Sequence, residues 1–71
     1  MLNVTVIAAT EWEGMYFNDS LVHEDHIVSI RDLARQAVVP FTLKLKEATL
    51  NVENTIEQNG GFPKELSKII W

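Results

Sequence analysis

The residues best suited to chemistry lie in one segment, residues 11 to 26, with the sequence EWEGMYFNDSLVHEDH. It combines three aromatic residues and two histidines with five carboxylates and contains no lysine or arginine. Aromatic side chains with a polar end are common at interfaces, where one side is apolar and the other is wet. Trp12 and Tyr16 are therefore candidate ligand-stacking residues. The alternative is that both supply core bulk, which so short a chain needs.

The two histidines and nearby acids predict no metal site. On a strand, residues three positions apart point to opposite faces, so His23 and His26 do not converge on one ion. Glu11 and Glu13 do share a strand face and are able to share a proton or a cation. The simpler interpretation is that these acids blunt an exposed sheet edge.

The six cations form three pairs, and both members of each pair face the same way: Arg31 with Arg35, Lys44 with Lys46, and Lys64 with Lys68. The planar guanidinium group binds phosphate or carboxylate through two parallel hydrogen bonds, so Arg31 and Arg35 are the candidate anion-binding residues. A solvated helix face gives the same pattern. No phosphate loop, nucleophile motif or catalytic triad spacing occurs, so we expect neither an enzyme nor a cofactor.

Length and composition limit the remaining possibilities. The chain has 71 residues, a net charge of −4 and no cysteine, which excludes disulfides and thiolate metal sites. We expect a single domain over residues 1–71, in the cytoplasm, without a signal peptide or a membrane partner. All the cations follow residue 30 and are balanced there by acids, so non-specific binding to nucleic acid is not expected.

A strand followed by a hairpin is predicted in the first part of the chain. Leu2, Val4, Val6 and Ala8 alternate with Asn3, Thr5 and Ile7, which is typical of a half-buried strand. Asn18-Asp19 is a favourable hairpin turn, because both residues tolerate positive φ. A two-residue loop there pairs Tyr16 with Leu21 and Met15 with Val22.

The second part of the chain predicts a helix, a strand and two more helices. Ser29 can cap a helix with an apolar stripe of Ile30, Leu33, Ala34 and Ala37, which ends before Pro40. Phe41, Leu43 and Leu45 alternate with polar residues as in a strand. A further helix is capped by Thr49 or Asn51 and ends at Gly60-Gly61. Pro63 is suited to start a last short helix that reaches about Ile69.

Together these elements predict an α+β fold with an antiparallel sheet of three to four strands, two helices and a short C-terminal helix. The predicted core unites the strand that begins at Phe41 with the first strand and both helices: Phe41, Leu43, Leu45, Val4, Val6, Ile30, Leu33 and Ile56. The large apolar side chains exceed what so short a chain can bury, and Ile69-Ile70-Trp71 adds to them. We therefore expect a homo-oligomer, most simply a dimer.

The pattern in the hairpin resembles a family of short proteins encoded by bacteriophages and prophages. The resemblance rests on Glu11 to Gly14, Tyr16 and Asn18, followed by Leu21, Val22, Glu24 and His26. The turn is Asn18-Asp19 instead of the family's Asn-Gly, and Asp25 replaces an expected glycine.

The resemblance implies a non-enzymatic protein that counters host defence, either by sequestering a nucleotide immune signal or by masking a host defence protein. In the nucleotide version, Trp12 or Tyr16 stacks on the ligand and Arg31 and Arg35 neutralise it. The alternative function is a structural or regulatory small oligomer without a ligand.

Overall fold

The computed structural model describes residues 2–28 and 39–71. It contains strands β1 (Leu2–Ala9), β2 (Trp12–Phe17), β3 (Ser20–Asp25) and β4 (Phe41–Glu47), helix α1 (Leu50–Asn59) and a 3-10 helix (Leu66–Lys68). The α+β fold is confirmed. The helix predicted from Ser29, with its apolar stripe and its two arginines, lies outside the described residues. Neither described helix is long and apolar enough to cross a membrane.

The sheet is mixed, so the predicted antiparallel sheet is wrong in one pairing. The strand order is β3-β2-β1-β4, and β4 pairs with β1 in parallel. Alternation along β4 shows which residues share a face, but it does not show the neighbour or the direction of the strand. The chain passes from one sheet edge to the other between β3 and β4, and such a crossover allows a parallel pairing.

The predicted hairpin is confirmed except for part of its register. Asn18 has a φ of 54° and its backbone N–H donates to the carbonyl of Asn3 over 2.7 Å. Tyr16 lies opposite Leu21 as predicted, but Met15 lies opposite His23 instead of Val22. A bulge at this point adds one residue to β3 and shifts the register, which period-2 alternation alone does not reveal.

Alternation along the strands gives the sheet two apolar faces. On the first face, Ile7 and Tyr16 form a buried cluster with Val52 of α1, and the cluster continues to Phe62 and Ile69. The second face carries a smaller cluster, in which Val4 and Met15 are buried. Five partly buried residues pack against them: Leu2, Val6, Phe17, Val22 and Val28. The first face therefore carries α1 and residues 61–71, here called the C-terminal segment.

The prediction that Phe41, Leu43 and Leu45 are core residues is wrong. They stand in register with Leu2, Val4 and Val6 of β1, yet they are 38%, 42% and 74% exposed. The reason is that β4 is an edge strand of the described sheet and that, among the described residues, no element covers this face of it. Ile56 packs on the first face and not with Val4, while Ile30 and Leu33 lie outside the described residues.

Helix α1 begins and ends where the sequence predicts. The Thr49 hydroxyl accepts a hydrogen bond from the backbone N–H of Val52, and Gly60 ends the helix with a φ of 74°. The Thr10 backbone N–H donates to the Glu53 carboxylate over 2.8 Å and so ties the β1–β2 turn to α1. Hydrogen bonds from Thr10 hold the pKa of that carboxyl below its ordinary value.

The last helix is shorter than predicted and starts at Leu66, not at Pro63. The residues before it run beside β3 and use their backbone groups there. The N–H of Leu21 donates to the carbonyl of Lys64, and the N–H of Leu66 donates to the carbonyl of Asp19, each over 2.8 Å. The sheet edge therefore takes the hydrogen bonds that a helical turn would have used.

Candidate functional site

Tyr16 is a core residue. Its side chain is fully buried, and its hydroxyl donates to the carbonyl of Pro63 over 2.6 Å. Its ring meets that of Phe62 edge to face, with centroids 6.3 Å apart. Burial raises the pKa of the Tyr16 phenol, and the negative charges of Glu24 and Asp19 add to this effect. The structure thus favours the core alternative for Tyr16 and leaves none of its ring open for stacking.

Trp12 is partly buried and held from two sides at the base of the hairpin. Its indole N–H donates to Oε1 of Glu24 over 2.7 Å, and the same oxygen accepts the backbone N–H of Phe62 over 3.0 Å. The His26 ring meets the indole edge to face at 5.2 Å. Glu24 therefore satisfies two donors, and Trp12 is a fixed joint between the hairpin and the C-terminal segment.

The acids and histidine around Trp12 bond to backbone groups. Glu13 accepts the N–H of Val28 over 2.8 Å, and Nδ1 of His26 lies 3.0 Å from the carbonyl oxygen of Glu11. Glu11 has a φ of 61°, which belongs to the tight turn between β1 and β2. Within residues 2–28 and 39–71, no group of three or more His, Asp and Glu side chains could hold a metal ion.

The predicted anion site cannot be assembled from the described residues, because Arg31 and Arg35 lie outside them. A groove of about 400 Å³ beside β4 includes Lys44, but Asp19 also lines it. The Asp19 carboxylate already accepts hydrogen bonds from the N–H and the hydroxyl of Ser67, over 2.7 and 3.0 Å. One cation opposed by one carboxylate attracts an anion weakly.

The exposed apolar residues give a stronger candidate. Leu50, Ile70 and Trp71, here called the Trp71 patch, are 74%, 78% and 40% exposed. The Trp71 carbonyl accepts hydrogen bonds from the side chains of Thr49 and Asn51, each over 3.3 Å, which hold it at the start of α1. Lys46 lies over the indole ring, with Nζ 4.7 Å from its centroid, in a cation–π contact.

A second exposed apolar group lies on β4. Phe41, Leu43 and Leu45, here called the β4 row, point to one side of the strand, while Thr42, Lys44 and Lys46 point to the other. Neither group was predicted as a site. The run Ile69-Ile70-Trp71 was a usable signal for the patch, because three large apolar residues in a row cannot all point into one core.

Comparison with protein-family models, with curated proteins and with solved structures finds no match for this chain.

Proposed function

We propose that the protein is a non-enzymatic binding protein that masks a host defence protein through the Trp71 patch. The observation that carries the proposal is the exposure of Leu50, Ile70 and Trp71 on a backbone fixed by two hydrogen bonds. The bonds from Thr49 and Asn51, which flank Leu50, bring the Trp71 backbone beside that residue. Exposed apolar residues that lie together mark interaction sites. Tryptophan is also the residue type that most often dominates the binding energy of protein interfaces.

Two features support a protein target over a nucleotide. Tyr16 is buried, which removes one of the two predicted stacking rings. Trp12 has its indole N–H bonded to Glu24 and its ring against His26, so it has little freedom to accept a base. The resemblance of the hairpin to phage proteins suggests that the target belongs to host defence.

We extend the proposal to a homo-oligomer in the cytoplasm of the host cell. The exposed β4 row supports self-association. All seven residues of the strand are exposed, and no described element covers its apolar side. A structural oligomer without a target is the competing function.

Affinity capture from a bacterial host lysate tests the proposal. Ile70→Ala and Trp71→Ala variants alter the patch, and Ile27→Ala is a matched control because Ile27 is 72% exposed and lies elsewhere. We expect wild type and Ile27→Ala to retain one protein that Trp71→Ala loses. Truncating a dominant interface tryptophan costs about 2 kcal/mol or more, which is roughly a thirtyfold loss of affinity.

Two outcomes would contradict the proposal. Equal capture by all four proteins would remove the patch from the binding surface. A thermal shift with a nucleotide would support sequestration instead, because a ligand at about 100 times its Kd stabilises by roughly 2.7 kcal/mol.

A further inference from the structure

The two edges of the sheet differ in how they are covered. At β3, the segment of residues 64–66 runs alongside and bonds to Leu21 and Asp19, with a bridge between Ser20 and Glu65. At β4, no strand within the described residues pairs with the outer side. An open seven-residue edge without an internal proline or bulge is a template for another strand.

The backbone of β4 presents the groups that such a strand needs. Ala48 donates its N–H to the carbonyl of Ala8 in β1 over 2.8 Å. In a parallel ladder, the N–H and C=O groups of one residue point to one neighbouring strand, and those of the next residue point the other way. Because Ala48 bonds to β1, the backbone groups of the even-numbered residues of β4 point to β1. The N–H and C=O groups of Phe41, Leu43, Leu45 and Glu47 therefore point outward.

The side chains of β4 are self-complementary about Leu43. A two-fold axis perpendicular to the sheet pairs residues of equal parity on the same face. With Leu43 opposite Leu43 of a second copy, Phe41 lies opposite Leu45 and Thr42 lies opposite Lys44. The apolar rows of the two copies then join on one face, next to Leu2, Val4 and Val6 of each β1.

Electrostatics selects this register from its neighbours. If the two-fold axis passes through Lys44 instead of Leu43, the two copies of Lys44 lie opposite each other. Like charges that lie directly opposite are destabilising. If the axis passes through Thr42, the two copies of Thr42 lie opposite each other, but Leu45 lies opposite Val39, which is outside the strand. Only the register centred on Leu43 keeps the whole β4 row paired without opposing two lysines.

We infer that a second copy of this chain docks on the outer edge of β4, antiparallel and centred on Leu43, to form one continuous eight-stranded sheet. This inference rests on the homo-oligomer part of the proposed function and names its interface. It leaves the Trp71 patch free on each copy.

A matched pair of substitutions tests the surface. Leu45 and Leu50 are both 74% exposed, the first on β4 and the second in the Trp71 patch. Light scattering should show a dimer for wild type and for Leu50→Glu, and the 8.1 kDa monomer for Leu45→Glu. A dimer lost by Leu50→Glu and kept by Leu45→Glu would overturn the β4 interface and leave the oligomer standing. A wild-type monomer at every concentration would overturn both.

Disulfide trapping tests the register, and the absence of native cysteine makes it clean. Thr42→Cys and Lys44→Cys proteins are mixed in equal amounts, oxidised and weighed by mass spectrometry. Directly opposite residues of a non-hydrogen-bonded pair lie close enough to be bridged. The mixed disulfide should therefore exceed its statistical share. Predominance of either homodisulfide would refute the register centred on Leu43.

Discussion

Tyr16→Phe removes one hydroxyl from the core and leaves the ring in place. The lost interaction is the 2.6 Å hydrogen bond to the Pro63 carbonyl, which joins β2 to the C-terminal segment. A buried carbonyl left without its donor costs about 1–3 kcal/mol. In a domain of this size, that lowers the melting temperature by roughly 4–8 °C for each kcal/mol. Thermal and urea unfolding of both proteins at pH 7 measure the difference.

The same residue predicts a loss of stability at alkaline pH. Its pKa in the folded protein is raised, first by burial and then by Glu24 and Asp19, so the phenol ionises more readily after unfolding. Its stabilising contribution is therefore complete below the ordinary pKa of about 10 and declines as the pH rises above it. While the folded phenol stays protonated, linkage gives a loss of about 1.4 kcal/mol by pH 11.

The assay is direct because Tyr16 is the only tyrosine in the chain. Tyrosinate absorbance then reports this residue alone, and circular dichroism reports the fold in the same sample. We expect the two signals to change together above pH 10, and Tyr16→Phe corrects for the titration of lysines. Tyrosinate formation near pH 10 with the fold intact would show that the phenol is exposed and would refute the reasoning.

Three further predictions follow from packing and charge. Gly14→Ala should cost about 1–3 kcal/mol in urea unfolding, because an added Cβ would lie 2.6 Å from Cδ2 of Phe62; near-wild-type stability would mean that this ring moves aside freely. Leu43→Ala should cost clearly less than Ile7→Ala, because Leu43 is 42% exposed and Ile7 is fully buried; a buried isoleucine truncation costs about 2–5 kcal/mol, and equal losses in the monomer would contradict the edge position of β4. Hydrogen bonding lowers the pKa of Glu53 in the folded state, so protonation of this carboxyl removes a stabilising contribution. As the pH falls through about 4, wild type should therefore lose more stability in urea unfolding than Glu53→Gln. Identical acid profiles of the two proteins would count against that contact.

Local patterns in the sequence predicted the elements that local chemistry determines. The alternation in β1, the tolerance of Asn18 for positive φ and the capping groups of Thr49 and Gly60 each act within a few residues. Each of these features has one favourable local solution, so a sequence pattern is enough to find it.

Features that depend on distant partners were not predictable in the same way. The alternation of Phe41, Leu43 and Leu45 identifies a strand, but the burial of these residues depends on which elements cover that face of β4. The bulge that places Met15 opposite His23 depends on the fit of β3 along β2. The register of a strand is set by its partners, and a single extra residue changes the pairing for all that follow.

For the candidate site, the residue types can be recognised from the sequence, whereas their roles depend on contacts with distant parts of the chain. Tyr16 and Trp12 suit both the core and a ligand by residue type, and their hydrogen bonds to Pro63 and Glu24 join parts of the chain that are distant in sequence. The apolar bulk of Trp71 is visible in the sequence. The Trp71 carbonyl is held at the start of α1 by the side chains of Thr49 and Asn51, and nothing in the local sequence announces these long-range contacts.

A dimer through β4 would carry two Trp71 patches related by the two-fold axis. Lys46 connects the two surfaces, because it belongs to β4 and its Nζ lies over the Trp71 ring. Strand pairing at β4 therefore fixes the spacing of the patches through an ordered strand instead of a flexible linker. Two fixed sites bind a target that displays two epitopes with an avidity about 10²–10⁴ above that of one site, provided that the geometry allows both to engage. A monomeric Leu45→Glu variant with an intact patch would then retain single-site affinity and lose only this gain, which separates binding from assembly.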